Sequence, residues 1–451
     1  MSGLVHGCKY RKGEEMQNRR EFIKGSSVFA AMMAAAPTVS MAQNAPRVFK
    51  VGMIGAGGRC SGAMAQIIEA AKNLGHQVKL VAVCDFFEDR AKGAAKKFGC
   101  DEKNAFWDAN SYKKVVASDC EIIVTATPPN FRPVHVEAAI KAGKHVFAEK
   151  PVAVDGPGLR QFLAAAKLAK EKNLALVAGS QRRHQKGYLL QALALQQGKV
   201  GQVLGGAVYW NGTVPWVRAR KEGMKNDAYL CSNWVNWTEM SGDHIVEQHV
   251  HNLDVANWFI GRYPRTAGAF GGRARRVSGN QYDFFGVDFD YGDGIHIHSQ
   301  CRQIGGTSGF VGERFRTEQF EISGGGKIQK VGGEALKLEG DTYTLNGNTY
   351  AIKDGNPYVI EHENLLRGIL GQIPLMNEGE SIAMGTACAI IGRISAYTGQ
   401  TVRMSDVIEN QNSPYYNLVC KPTWQEFEAG DVAMPEYGDD QAPLPGKPWG
   451  K

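Results

Sequence analysis

Along the first half of the chain, short apolar runs alternate with segments of helical period. Phe49–Ile54, Lys79–Asp85, Glu121–Thr125, Lys144–Ala148 and Leu174–Ala178 read as strands, several of them nearly continuous in apolar content. Such runs fit strands buried on both faces. Ala63–Lys72 and Pro133–Ala142, which lie between them, carry helical spacing. The alternation predicts βαβ units joined by right-handed crossovers, hence a doubly wound parallel sheet over residues 47–180.

Farther on the period shortens to two. Phe284–Asp290 and Ile295–His298 alternate around a turn at Tyr291-Gly292-Asp293-Gly294, and further hairpin turns are predicted at Gly324-Gly325-Gly326 and near Asn346-Gly347-Asn348. His296 and His298 share one strand face and are expected to point toward solvent or an interface. Residues 181–410 are therefore read as an α+β domain on a large, mainly antiparallel open sheet, and residues 411–451, rich in Pro, Gly, Tyr and Trp, as a surface-wrapping tail. An open sheet with one uncovered face suits self-association, so a homodimer or homotetramer through that sheet is expected.

Composition narrows the classes. The chain has 451 residues, 43% hydrophobic and 22% charged, with 54 glycines. This is ordinary globular usage, with glycine high enough to suggest many tight turns. No apolar run is long enough to span a bilayer. Near the start, Asn18-Arg19-Arg20-Glu21-Phe22-Ile23-Lys24 precedes a mildly apolar stretch from Val28 to Ala36 and a small-residue end at Ser40-Met41-Ala42. Residues 1–42 thus resemble a twin-arginine export signal, which predicts a periplasmic or otherwise exported protein; an amphipathic helix carrying two arginines is the alternative. Met16 is a candidate for the true start. Removing residues 1–42 takes away six basic and three acidic residues and lowers the formal charge from +7 to +4. Only short basic pieces remain, so no nucleic-acid partner is expected, and no membrane contact beyond export. The nine cysteines form no C-x-x-C pair, which gives no sign of a zinc ribbon or a disulfide framework.

The first strand ends in Gly55-Ala56-Gly57-Gly58-Arg59-Cys60 and a helix follows. Glycines in this strand–turn–helix context let backbone N–H groups approach a pyrophosphate at the positive end of a helix dipole. Gly55, Gly57, Gly58 and Arg59 are the candidate contacts, with Cys60 where a third glycine is usual. Asp85, ending the second strand, is placed to accept the adenosine ribose hydroxyls and to repel a 2′-phosphate, which favours NAD over NADP; it also suits a helix N-cap. Arg59 and Arg90 would weaken the preference if either reached the ribose.

Together with the turn Thr127-Pro128-Pro129-Asn130 and the run Ala142-Gly143-Lys144-His145-Val146 leading into Glu149-Lys150-Pro151, this glycine loop resembles the glucose–fructose oxidoreductase / inositol dehydrogenase / MocA family. The segment Ser241–Asp254 with Trp258, and His362-Glu363-Asn364-Leu365-Leu366, resemble that family's catalytic helix and C-terminal return. The resemblance covers nearly all of Val48 to Glu409. It implies a Rossmann domain followed by an α+β domain, substrate between them, and NAD(P)-dependent chemistry on sugars, polyols and their derivatives. It adds Thr127, Pro128, Asn130, Glu149 and Lys150 to the cofactor contacts. The family's catalytic lysine falls on Lys150 and its Asp-x-x-x-His pair on Glu247 and His251, so this chain has Glu where inositol dehydrogenases have Asp.

The chemistry of the reaction asks for the same residue types. Removing a hydride from a carbinol carbon requires its hydroxyl proton to leave as well, which needs a base with a pKa near working pH and a cation to steady the alkoxide. His251 is read as the acid/base, Lys150 as its hydrogen-bonding or electrostatic partner and Glu247 as orienter of one or both. On a helix starting near Asp243, positions 244, 247 and 251 share one face, so His244 is expected in the same cleft, with His249 pointing elsewhere. A metal site or a structural network on that face are the alternatives; no metal is expected. Arg182, Arg183, His184 and Tyr188, which follow the last strand of the first half, are candidate substrate contacts, with a surface basic cluster as the alternative. Among Trp210, Trp216, Trp234 and Trp237, Trp237 is taken as a stacking surface for a sugar ring, against core packing. Three functions follow: an exported dehydrogenase of a sugar or glycoside with tightly held NAD, a glycoside hydrolase working by transient oxidation, elimination, hydration and re-reduction, and a non-enzymatic sugar-binding protein.

Overall fold

The computed structural model describes residues 45–446. The export signal expected at residues 1–42 lies outside the described residues. The first sheet has six strands, β1 (Val48–Ile54), β2 (Gln77–Asp85), β3 (Ala105–Trp107), β4 (Ile122–Thr125), β5 (His145–Ala148) and β6 (Leu176–Ala178), in the order β3-β2-β1-β4-β5-β6, all parallel. Helices α1 (Gly58–Asn73), α2 (Glu88–Phe98), α3 (Tyr112–Val116), α4 (Arg132–Lys141) and α5 (Gly156–Glu171) make the crossovers. Strand order reverses between β1 and β4, so the chain splays at their C-terminal ends and leaves a crevice there.

After β6 the chain turns through Gln181–His184 into α6 (Lys186–Gln196) and enters a second sheet of eight strands. These are β7 (Gly205–Gly212), β8 (Thr266–Gly272), β9 (Phe284–Asp290), β10 (His296–Gln303), β11 (Phe310–Arg316), β12 (Phe320–Ser323), β13 (Lys327–Lys330) and β16 (Val402–Arg403), ordered β13-β12-β11-β7-β10-β9-β8-β16. Every neighbouring pair is antiparallel except β7 with β10. A separate hairpin pairs β14 (Thr342–Leu345) with β15 (Asn348–Ala351). Between β7 and β8 lie α7 (Asn226–Ser232), α8 (Thr238–Ser241), α9 (His244–Glu247) and α10 (Val250–Ile260), and α11 (Pro357–Ile369), α12 (Gly379–Thr398), α13 (Met404–Ile408) and α14 (Trp424–Ala429) complete the chain.

One face of the eight-stranded sheet is covered by α9, α10 and α12. Helix α12 is buried nearly all round, and its small residues allow close approach: a Cβ at Gly392 would lie 3.1 Å from Phe289. The opposite face carries His296, His298 and Phe270, all exposed, with Phe270 67% accessible. No described helix is long and apolar enough to cross a membrane. All eight described cysteines are free.

Candidate active site

Gly55 has φ +90°, a left-handed conformation that L side chains rarely adopt, and it turns β1 into the loop before α1. That helix begins without a side-chain cap at Gly57, and a Cβ on Gly57 or Gly58 would meet no atom within 4 Å. Uncapped N–H groups facing open space are what a pyrophosphate needs. The loop borders a cleft of about 650 Å³ whose walls include Gly55, Gly57, Asp85, Arg90, Thr127 and Pro128. Asp85 is buried there, and its carboxylate accepts from Ala56 N at 2.7 Å and Phe87 N at 3.0 Å. Burial raises its pKa, opposed by those two bonds. Each oxygen retains a second lone pair for a ribose hydroxyl. These residues fit a dinucleotide.

Cys60 occupies the place of the third glycine without crowding the sheet. Its buried thiol reaches Ile54 O at 3.6 Å and Val124 O at 3.7 Å. Two expected cofactor contacts are used elsewhere. Arg59 Nε lies 2.9 Å from Glu149 Oε1 and its guanidinium stands over the Tyr358 ring, so both Arg59 and Glu149 are engaged within the protein. Gly179 makes this packing possible, because a Cβ there would lie 2.5 Å from the Glu149 carboxyl carbon. Asn130, also expected to contact the cofactor, is buried and turns away: its Nδ2 donates to Pro422 O at 2.9 Å and its N–H to Met240 O at 3.3 Å. Arg90 does line the cleft, 4.5 Å from the Phe87 ring centroid.

Beyond β5 the structure brings Lys150, Glu247 and His251 together. Lys150 Nζ donates to Glu247 O at 2.6 Å and to Glu247 Oε1 at 3.2 Å, with both side chains 14% exposed. His251 lies in a buried setting within electrostatic range of Lys150, and its ring stacks on Trp210 with centroids 5.7 Å apart and planes 21° off parallel. Burial first, then the positive charges of Lys150 and Arg182, hold its pKa well below the ordinary imidazole range. The ring is therefore neutral at neutral pH, and a weaker base than the near-neutral one the chemistry leads one to expect. Arg132, fully buried, donates to Thr127 O and Pro151 O, tying the Thr127 turn to the segment that carries Lys150. Burial lowers its pKa to about 10.

The single helix expected from Asp243 onward is broken. Helices α9 and α10 are separate; of the predicted face Glu247 contacts Lys150, and His251 lies within electrostatic range of it. Asp243 adopts φ +75°, and its carboxylate accepts from His244 N at 2.6 Å, Tyr397 OH at 2.7 Å and Tyr282 N at 3.2 Å. His244 is consequently fully buried beside Asp243 and Phe285. His249 points to the sheet, with Nε2 2.7 Å from Ser299 Oγ, and burial pushes its pKa down to about 3.

The expected substrate contacts after β6 form an internal hub instead. Arg183 makes a bidentate pair with Asp254 at 2.7 and 2.8 Å. His184 is buried between Asn364 and Glu378, and Tyr188 OH donates to Glu313 Oε2 at 2.9 Å. Arg182 also pairs with Glu313, which accepts as well from Asn252 Nδ2 at 2.6 Å. Each of these four polar residues pairs with a buried carboxylate, Asp254, Glu313 or Glu378, because each is costly to bury alone. Trp237, expected to stack on a sugar, is wholly buried against Tyr229. Trp210 is the tryptophan that meets the site, on an inward-facing position of β7. Sequence reading missed Arg132, whose only signal was its place beside the Thr127 turn. Among the described residues, no cluster of three His, Cys, Asp or Glu side chains is placed to hold a metal.

Residues 49–180 match the model of the oxidoreductase family with an NAD-binding Rossmann fold. The chain is 29% identical over 187 residues to inositol 2-dehydrogenase of Salmonella typhimurium, covering 41% of this chain and 47% of that one. It is 26% identical over 228 residues to 2,7-anhydro-N-acetylneuraminate hydratase of Escherichia coli, covering 49% and 54%. The chain thus spans about half the length of the curated relatives it matches. The fold is similar to that of aldose-aldose oxidoreductase from Caulobacter crescentus, complexed with glycerol, at TM-score 0.60 and 16% identity, covering 79% of this chain and 100% of the other.

The charge environment of His251 is testable without substrate. Its imidazole should stay neutral to well below the ordinary range when followed by NMR titration, and Lys150→Met should move the titration upward by removing a repelling cation. An unchanged titration in that variant would show that Lys150 does not act on His251.

Proposed function

We propose, on the premise that the chain belongs to the glucose–fructose oxidoreductase / inositol dehydrogenase / MocA family, that it is an NAD-dependent oxidoreductase acting at a secondary hydroxyl of a sugar, polyol or glycoside. The observation that carries this reading is the meeting of Lys150, Glu247 and a neutral His251 beyond the C-terminal end of β5 in a sheet with an NAD-binding loop. NAD, when bound along Gly55–Gly58 and Asp85, supplies the hydride acceptor. The protein moves the proton. In the oxidative direction His251 takes the hydroxyl proton, and the Lys150 ammonium stabilises the oxygen as negative charge grows on it. Glu247 fixes Lys150 through two acceptors, so the ammonium does not have to reorganise during reaction. Trp210 offers an apolar ring beside His251, a surface suited to the C–H face of a pyranose. Asp85, within the cleft, favours NAD over NADP by charge repulsion.

A second reading keeps the same first step. After oxidation, elimination of an aglycone, addition of water and re-reduction would give net hydrolysis of a glycoside. One relative is named a hydratase, which is the support for water addition in this family. Mass spectrometry of products, with protein as isolated, no added nucleotide and a panel of sugars and unactivated glycosides, separates the two. A product two hydrogens lighter, limited by bound nucleotide, establishes the dehydrogenase. Free sugar with no redox change establishes the hydrolase, and unchanged substrates in every case contradict both.

The twin-arginine pattern at Asn18–Lys24 supports export to the periplasm, and the uncovered sheet face with Phe270 supports assembly into a homodimer or homotetramer. Fractionation followed by sedimentation is expected to find the mature chain outside the cytoplasm as a dimer or tetramer. A cytoplasmic monomer would contradict both parts.

A further inference from the structure

The cleft beside Asp85 is not walled by the first sheet alone. Cys231 and Trp234, from α7 and the turn after it, lie more than forty residues past β6 in sequence yet face the same space. They belong to a hydrophobic cluster separate from the main cores, built from Phe131, Tyr229, Leu230, Trp237, Met240 and Phe427. This roof has its own interior.

The C-terminal segment holds it in place. Phe427 meets Phe131, a wall of the cleft, edge to face at 4.9 Å. Next to it, Glu428 accepts from Tyr112 OH, another wall, at 2.8 Å and pairs with Lys113 Nζ at 3.0 Å, and its main-chain carbonyl accepts from Asn110 Nδ2 at 3.0 Å. The roof helix is tied to the same segment from its other side. Asn226 Nδ2 donates to Val432 O at 2.8 Å, and Tyr229 OH donates to Asp439, which also accepts from Gly279 N at 2.5 Å. Asn130, turned away from the cofactor, spends its amide on Pro422 of this segment. The segment from 420 to 440 therefore binds the rim of the first domain on one side and the roof on the other.

We propose that residues 420–440 act as a strap that locks α7 and Trp234 over the adenosine end of the cleft, so that the dinucleotide leaves only when the strap lifts and is retained through many catalytic cycles. This rests on the dinucleotide reading above. Retention would require each turnover to return the hydride to a carbon of the same or a second substrate in the same site, because reduced nucleotide does not exchange with solution. Tyr112 and Phe131 are the two walls whose positions the strap controls, and Glu428 is its principal polar latch. Glu428 is also partly accessible at the rim, its side chain 19% exposed, so it can be changed with little loss of core packing.

The test uses the full chain loaded with NAD and follows exchange of bound nucleotide for isotopically labelled NAD by mass spectrometry of protein recovered from gel filtration. Wild-type protein is expected to exchange far more slowly than it turns over. Glu428→Ala removes the bonds to Tyr112 and Lys113 and is expected to speed exchange by at least about tenfold. Tyr350→Ala, in the β14–β15 hairpin away from the strap, controls for general loosening and is expected to leave exchange unchanged. Exchange in wild type as fast as turnover, an unaltered rate in Glu428→Ala, or an equal acceleration in Tyr350→Ala would each overturn the strap. Failure to bind NAD at all would instead overturn the dinucleotide reading on which it rests.

Discussion

One contact organises the reactive part of this molecule: the Lys150 ammonium held by the main-chain oxygen and carboxylate of Glu247, ninety-seven residues away in sequence. Lys150 follows the fifth strand of the parallel sheet, and Glu247 ends a short helix packed on the eight-stranded sheet. The pair therefore joins the parallel sheet to the elements packed on the eight-stranded sheet. A lysine this enclosed needs acceptors, since an unpaired buried ammonium is costly. Glu247 provides two. The result is a fixed positive charge beside His251, and that charge together with burial keeps the imidazole neutral.

Around that pair the second domain is stiffened by buried polar groups rather than by hydrophobic packing alone. Asp243, with a backbone conformation unusual for a non-glycine residue, gathers bonds from His244, Tyr282 and Tyr397 and so fixes the start of α9. Arg183 with Asp254, and Arg182 with Glu313, attach the chain leaving β6 to α10 and β11. These networks are satisfied pairwise, and removing one partner would leave the other buried and unpaired. They place His251 and Trp210 on facing elements with little freedom to drift.

Much of this was legible in the sequence where local physics decides. Continuous apolar runs revealed the parallel strands, and the Asn346-Gly347 turn, with φ of 50° and 77°, is the geometry that an Asn-Gly pair favours between short strands. The glycine loop, Asp85, and the grouping of Lys150 with Glu247 and His251 were likewise readable from spacing and resemblance. What escaped depended on tertiary partners. No local signal distinguishes an arginine that faces a substrate from one that pairs with Asp254 across seventy-one residues. The break between α9 and α10 hid the burial of His244. Trp237 and Trp210 are equal in composition, and only the second sheet's packing decides which of them meets the site. Asn130 and Glu149 fell in a recognisable motif, yet their side chains serve Pro422 and Arg59.

The most direct test of the central claim follows the hydrogen itself. Protein loaded with unlabelled NAD is given a single-turnover amount of sugars or polyols carrying deuterium at one carbinol carbon each, and the recovered nucleotide is weighed. The account predicts that a substrate labelled at one particular carbon passes one deuterium to the nucleotide, and that Lys150→Met and His251→Ala each slow this transfer by about a hundredfold or more. Transfer of label at wild-type rate in both variants would contradict the assignment of the site, and loss of the deuterium to solvent, with label on neither the nucleotide nor a product carbon, would contradict hydride transfer altogether.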